Sequence, residues 1–163
     1  ISACLVGSEM CIRDSVKGLQ SGQIQFLYAP THLNPTYEYG VTFERGTAVT
    51  YGDRKQIFIS GTASIDNQGE IMYPGDILKQ TERMLENIDT LLQEAGGGLQ
   101  DIMQAIVYLR DPADYVVVKQ YIESRYPSFL HLIVHAPVCR PGWLIETECI
   151  AVIPADAPQY ACL

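Results

Sequence analysis

The feature that most limits the fold is a long amphipathic segment between Asp76 and Ala95. Ile77, Met84, Leu85, Ile88, Leu91, Leu92 and Ala95 recur at three- and four-residue steps, the spacing that gathers side chains on one face of an α-helix. Glu82, Glu86, Asp89 and Gln93 fall on the other face. Asp76 is placed to cap the first turn. Gly96-Gly97-Gly98 is placed to end the last one, because glycine takes the left-handed cap conformation without a Cβ penalty. The glycine run follows a helix and is not trailed by Lys-Ser/Thr, so it is not a phosphate-binding loop. A helix with one apolar stripe must lay it on another layer, and the flanking sequence supplies one.

Val41 to Thr50 reads as a strand, Tyr51-Gly52-Asp53-Arg54 as a turn, and Lys55 to Ser64 as the hairpin partner, rich in β-branched and aromatic residues. After the helix, Ile102 to Leu109 reads as a strand. Asp111-Pro112 opens a second helix, with Tyr115, Val118, Ile122 and Tyr126 as its stripe and Pro127 at its end. Leu130 to Ala136 and Leu144 to Ile153 read as two more strands. The order is ββαβαββ, which predicts an α+β fold with two helices on one face of a mixed sheet. Upstream, residues 23–39 carry two Pro and several Tyr and read as an extended, irregular lead-in. Residues 1–22 have no clean period, and CLVGSEMCIRDS resembles a translated cloning or sequencing adapter. We set them aside as an artefactual leader, which would leave the natural upstream sequence out of this chain. The domain is expected over residues 40–154, with a tail at 155–163.

Composition narrows the function. The chain has 163 residues, 47% of them hydrophobic, enough to bury a core as one domain. A net charge of −8 does not attract a phosphate backbone, so nucleic acid is not an expected partner. No apolar run reaches the ~20 residues of a membrane helix, and no membrane partner is expected. The five cysteines show no CxxC spacing. They read as reduced thiols in a cytoplasmic protein, with Cys149 a small buried hydrophobe.

Two stretches could carry chemistry. His131 and His135 stand four apart, but HLIVHA is strand-like, and four strand residues span ~13 Å. They cannot share a metal ion, and no metal or cofactor is expected. The richer stretch is Cys139-Arg140-Pro141-Gly142 leading into Leu144–Ile153. Alternation puts Ile145, Thr147, Cys149 and Ala151 on one face of that strand, and Glu146 and Glu148 on the other. If the apolar face packs on the helices, the two carboxylates point away from them, ~7 Å apart. An enclosed carboxyl there has a raised pKa and suits general acid or base work. A solvated acidic pair on an exposed strand is the alternative.

Ile59-Ser60-Gly61-Thr62-Ala63, Gly69-Glu70, Gly75-Asp76 with Gln80 and Asn87-Ile88, Asp101-Ile102, Tyr108-Leu109-Arg110-Asp111, Tyr121 and Ile145-Glu146-Thr147-Glu148-Cys149-Ile150-Ala151 together resemble the Rid (YjgF) superfamily. The likeness runs from about Val41 to Pro154. It implies the chorismate-mutase-like fold and a homotrimer with pockets between subunits. It also implies enamine and imine deaminase chemistry; some members are described as endoribonucleases, which the acidic charge of this chain argues against. Deaminase members hold the substrate carboxylate with an Arg fifteen residues before the first Glu of the closing strand. Here His131 stands at that position.

Phe43-Glu44-Arg45-Gly46-Thr47-Ala48, Ser60-Gly61-Thr62-Ala63-Ser64 and Cys139-Arg140-Pro141 followed by Glu146 are similar to the C-terminal half of chorismatases. That resemblance implies Glu146 as the acid that protonates an enol ether, with Cys139 beside it. It implies Arg140, Arg45, Gly61, Thr62 and His131 around a small carboxylate substrate. The expected function is a Rid-superfamily hydrolase of chorismatase type. The alternatives are an enamine/imine deaminase and a non-catalytic metabolite-binding trimer.

Overall fold

A computed structural model describes residues 19–39 and 43–162. The helix predicted from Asp76 forms as α1, Ile77–Glu94. The Asp76 carboxylate accepts the Lys79 backbone N–H at 3.0 Å, satisfying one of the orphan donors of the first turn. At the far end Gly96 N–H reaches Gln93 O and Gly97 N–H reaches Leu92 O, with Gly96 at φ +90°. This pair of bonds closes the helix as a Schellman motif. Met84, Leu85, Ile88, Leu91 and Leu92 are fully buried, as their spacing requires.

The sheet has six strands: β1 Ile24–Leu27, β2 Gly46–Thr50, β3 Arg54–Ala63, β4 Ile102–Leu109, β5 His131–His135 and β6 Ile145–Pro154. Their order is β1-β2-β3-β6-β4-β5. Only β4 and β5 are parallel, as expected for strands joined through a helix. That helix is α2, Tyr115–Arg125. The architecture is the expected α+β arrangement, both helices against a mixed sheet. One face of β6 (Ile145, Thr147, Cys149, Ala151) is buried on the helix side. Its last strand-centre neighbours are β3 and β4, so β6 runs through the middle of the sheet.

Several details differ from the sequence reading. The lead-in is not merely irregular: β1 pairs antiparallel with β2, and the Glu94 carboxylate accepts the N–H groups of Tyr28 and Ala29 at 3.0 and 2.9 Å. The first predicted strand starts only at Gly46, and its residues 41–42 lie outside those described. Asp111-Pro112 opens a 3-10 turn, Pro112–Asp114, before α2 begins. On this short helix Val118 and Ile122 reach the core, while Tyr115 at its first turn is exposed. Cysteine usage is also different. Cys149 and Cys162 are free, but Cys139 is disulfide-bonded rather than a reduced thiol. Cys4 and Cys11, the leader and its artefactual origin lie outside the described residues too. The tail folds back on the β2–β3 turn through Ala155 N–H to Asp53 O and Ala157 N–H to Gly52 O.

Candidate active site

Glu146 is the centre of the site. It stands on β6 between Ala63 of β3 and Tyr108 of β4, its cross-strand partners. It belongs to the face turned away from the helices, yet only 3% of it is exposed. The cover is the segment between β5 and β6. The Cys139 backbone N–H from that segment hydrogen-bonds the Glu146 carboxylate. Burial pushes the carboxyl up strongly, the Cys139 N–H pulls it part of the way back, and the charge of Glu148 pushes it up again, so that it titrates at about 7. A carboxyl poised there is part protonated and part ionised at neutral pH, the condition for donating a proton and taking it back.

The covering segment is held from two sides. Arg110, just after β4, donates to Trp143 O at 2.7 Å, Val138 O at 2.7 Å and Arg140 O at 2.6 Å. Gln80, fully buried on α1, donates to Gly142 O at 3.0 Å and accepts Leu144 N–H at 3.0 Å. Arg140 stacks on Trp143 at 5.2 Å and donates to Gly69 O at 3.2 Å. The Trp143 indole N–H is buried with no hydrogen-bond partner among the described residues. Next to Glu146 on the same face lies Glu148, half-buried, whose carboxylate accepts the Tyr108 hydroxyl at 2.8 Å. Burial first, and then the hydrogen bond to Glu148, push the Tyr108 phenol well above its ordinary range.

The other predicted site residues divide. Gly61 and Thr62 lie at a β-bulge, where β3 gains one residue over β6 between Ile59 and Thr62. This brings them beside Ala63, the partner of Glu146. The Thr62 hydroxyl is buried and donates to Ser60 O at 2.8 Å. Arg45 is buried and directs its guanidinium to Asn34, with two donors on the carbonyl at 3.2 and 3.0 Å and one on the side-chain oxygen at 3.0 Å, and it stacks on Phe43 at 5.3 Å. In that pose it ties the lead-in to the sheet. His131 pairs with Ala105, on the helix side of the sheet. Its Nδ1 lies 2.8 Å from Phe129 O, and its ring lies 5.6 Å from the Phe129 ring. Within one protomer His131 is therefore not brought to Glu146. His131 and His135 share a face of β5, and the described residues hold no group of three or more His, Cys, Asp or Glu that could bind a metal ion together. Tyr108, Arg110, Gln80 and Trp143 were not singled out as site residues. For Tyr108 the placement comes from the register between β4 and β6, which sets it opposite Glu146; the other three reach the site through contacts with the covering segment.

The family model described as endoribonuclease L-PSP matches residues 46–153. The chain belongs to this family, within the Rid superfamily. It is 31% identical over 97 residues to 3-aminoacrylate deaminase RutC of Acinetobacter baylyi, covering 58% of this chain and 77% of that protein. A RutC family protein of Pyrococcus abyssi is 35% identical over 97 residues, covering 58% and 76%. Among solved structures the L-PSP domain resembles a chorismatase with a TM-score of 0.69 at 23% identity, over 78% of this chain and 43% of that one. It resembles RidA from an Antarctic Psychrobacter with a TM-score of 0.65 at 24% identity, over 79% and 99%. These likenesses show the fold.

Proposed function

We propose that this L-PSP domain is a hydrolase of small vinylic carboxylates that carry an amino or ether substituent, with Glu146 as the proton donor. The observation that carries the reading is a carboxyl almost wholly buried on the helix-free face, titrating at about 7. An electron-rich C=C bond is protonated on carbon by a neutral acid. The π pair becomes the new C–H bond, and the heteroatom lone pair forms a C=N or C=O cation. Water adds to that cation. The amine or alcohol then leaves with one proton from the water, a carbonyl remains, and Glu146 is protonated again.

An enamine of the aminoacrylate class is the first substrate on this reading, because a RutC 3-aminoacrylate deaminase is among the sequence relatives and such a substrate carries a single carboxylate. Arg140, stacked on Trp143, and the unpaired Trp143 N–H are the donors for that carboxylate. His131 stands where deaminase members keep an Arg, so the anchor differs from theirs. An enol ether is the second reading, favoured by the likeness to a chorismatase. It asks for two anchored carboxylates, and the buried Arg45 is committed to Asn34. Cys139 contributes its N–H to Glu146 rather than a thiol. RNA is not the substrate on this reading, since a net charge of −8 repels phosphates.

The active form on this reading is a homotrimer with the helix-free sheet face inside it. That face carries the pairs Phe58–Ile150 and Ile106–Leu132, and Leu132 is 61% exposed in the protomer. Among the described residues no helix is long and apolar enough to cross a membrane.

The test is turnover of aminoacrylate generated in the assay and, separately, of chorismate. Glu146→Gln is expected to lower kcat by about 10²–10⁴-fold on whichever substrate is turned over. Equal rates for wild type and E146Q would end the reading.

A further inference from the structure

Glu146 and Glu148 share one face of β6, yet their surroundings differ. Glu146 is closed off and receives only a backbone N–H from the covering segment. Glu148 is half-buried and receives a phenol O–H from Tyr108 at 2.8 Å. The bond is diagonal, because Tyr108 stands opposite Glu146 and Ile106 stands opposite Glu148. Tyr108 therefore stands opposite one glutamate and hydrogen-bonds the next one on the same face. Two carboxylates on one sheet face repel, and that repulsion favours the protonated form of the buried one.

We propose that Glu148 is a positioning residue for Glu146: the Tyr108 hydroxyl fixes the Glu148 carboxyl group on the same face of β6, and this second acidic group favours the protonated form of its buried neighbour. The proposal rests on the reading that Glu146 works as an acid, and it adds a residue pair to that reading. Among the described residues, the groups placed next to Glu146 come from its own strand, both neighbouring strands and the covering segment. Glu148 is on its own strand and Tyr108 is opposite on β4, while β3 presents Ala63. The covering segment presents the Cys139 N–H. From the same segment Arg140 donates to Gly69 O and lies against Trp143, and Arg110 donates to backbone carbonyls. Burial remains the larger influence on Glu146, with Glu148 acting in the same direction.

The experiment is a pH titration of the full chain with carboxyl-13C-labelled glutamate, the Glu146 signal being assigned by its loss in E146Q. Glu148→Gln keeps the shape and removes the charge, and the Glu146 midpoint is expected to fall by about 0.5–1 pH unit. Tyr108→Phe leaves the carboxylate without its tether, and a smaller fall in the same direction is expected. In both variants the alkaline limb of kcat moves with the midpoint. A midpoint in E148Q that equals the wild-type value overturns the proposal. If E148Q does not fold, Y108F decides, and an unmoved midpoint there overturns it as well. The titration needs no substrate. A protein that turns over neither substrate but shows the shift would therefore sink the proposed reaction and leave the coupling standing.

Discussion

The two faces of β6 make opposite use of the same ten residues. On one, Ile145, Thr147, Cys149 and Ala151 are buried on the helix side of the sheet and pack as core. On the other, Glu146 is buried just as deeply, but as an acid under a covering loop, with Glu148 and Tyr108 beside it. Burial of an apolar side chain stabilises the fold, whereas burial of a carboxyl costs stability unless it takes up a proton. One strand thus carries both the packing that holds the domain together and the destabilised group that makes a site. Comparable burial with opposite energetic sign sets Glu146 apart from the core residues of the same strand, where exposure alone would not.

The largest break in this comparison comes from the core side. Leu91 of α1 is fully buried, and Leu91→Ala is expected to cost about 2–5 kcal/mol, the transfer term plus the cavity left behind. Denaturant unfolding at neutral pH measures it. A loss under about 1 kcal/mol would mean that α1 does not carry the core.

The acid side responds to pH instead. Glu146 moves from an ordinary value of 4.5 to about 7 on folding. The folded state therefore binds the proton more tightly. The stabilising contribution is fully present below pH 4.5 and is lost as pH rises through about 7. The whole span amounts to about 3 kcal/mol. E146Q, neutral throughout, is expected to lose that slope and to be the more stable protein at pH 8, in contrast to the core variant. Unfolding curves at pH 5 and pH 8 for both proteins decide it. Parallel slopes would mean that Glu146 is not the group that titrates.

Much of this contrast is legible in the sequence, because a period of two along Leu144–Ile153 and a stripe along Asp76–Ala95 are local signals. The cap at Asp76, the glycine stop and the outward turn of Glu146 follow from them. What holds the site is not local. The Tyr108–Glu148 bond joins residues forty apart, and it depends on β4 and β6 being neighbours in one register. Gln80 and Asn87 are polar residues on the buried side of α1. Their partners, the 142–144 backbone for Gln80 and the carbonyls of Ala63 and Ile65 for Asn87, exist only after folding. Arg45 has the chemistry of a carboxylate anchor, but its guanidinium goes to the Asn34 backbone carbonyl and side chain. Composition cannot tell an anchor from a strut, since both are cations near a predicted strand. The short edge strand β1 sits among prolines and tyrosines that mask its period.

The smallest expected effect on the protomer sharpens the comparison most, because it separates the open face from the core. Leu132 lies on β5 opposite Ile106, on the helix-free side, and is 61% exposed. An exposed leucine contributes little to folding, so Leu132→Asp is expected to shift protomer stability by no more than about 0.5 kcal/mol. In a trimer closed over this face, the same change buries three unpaired carboxylates against apolar neighbours. The cost then falls on association rather than on folding. Sedimentation is expected to show a trimer for the natural sequence and a protomer for the variant, with the far-ultraviolet spectrum unchanged. Equal masses for the two proteins would remove the open face as an interface. The acid pair would then have to work in a site built by one chain alone.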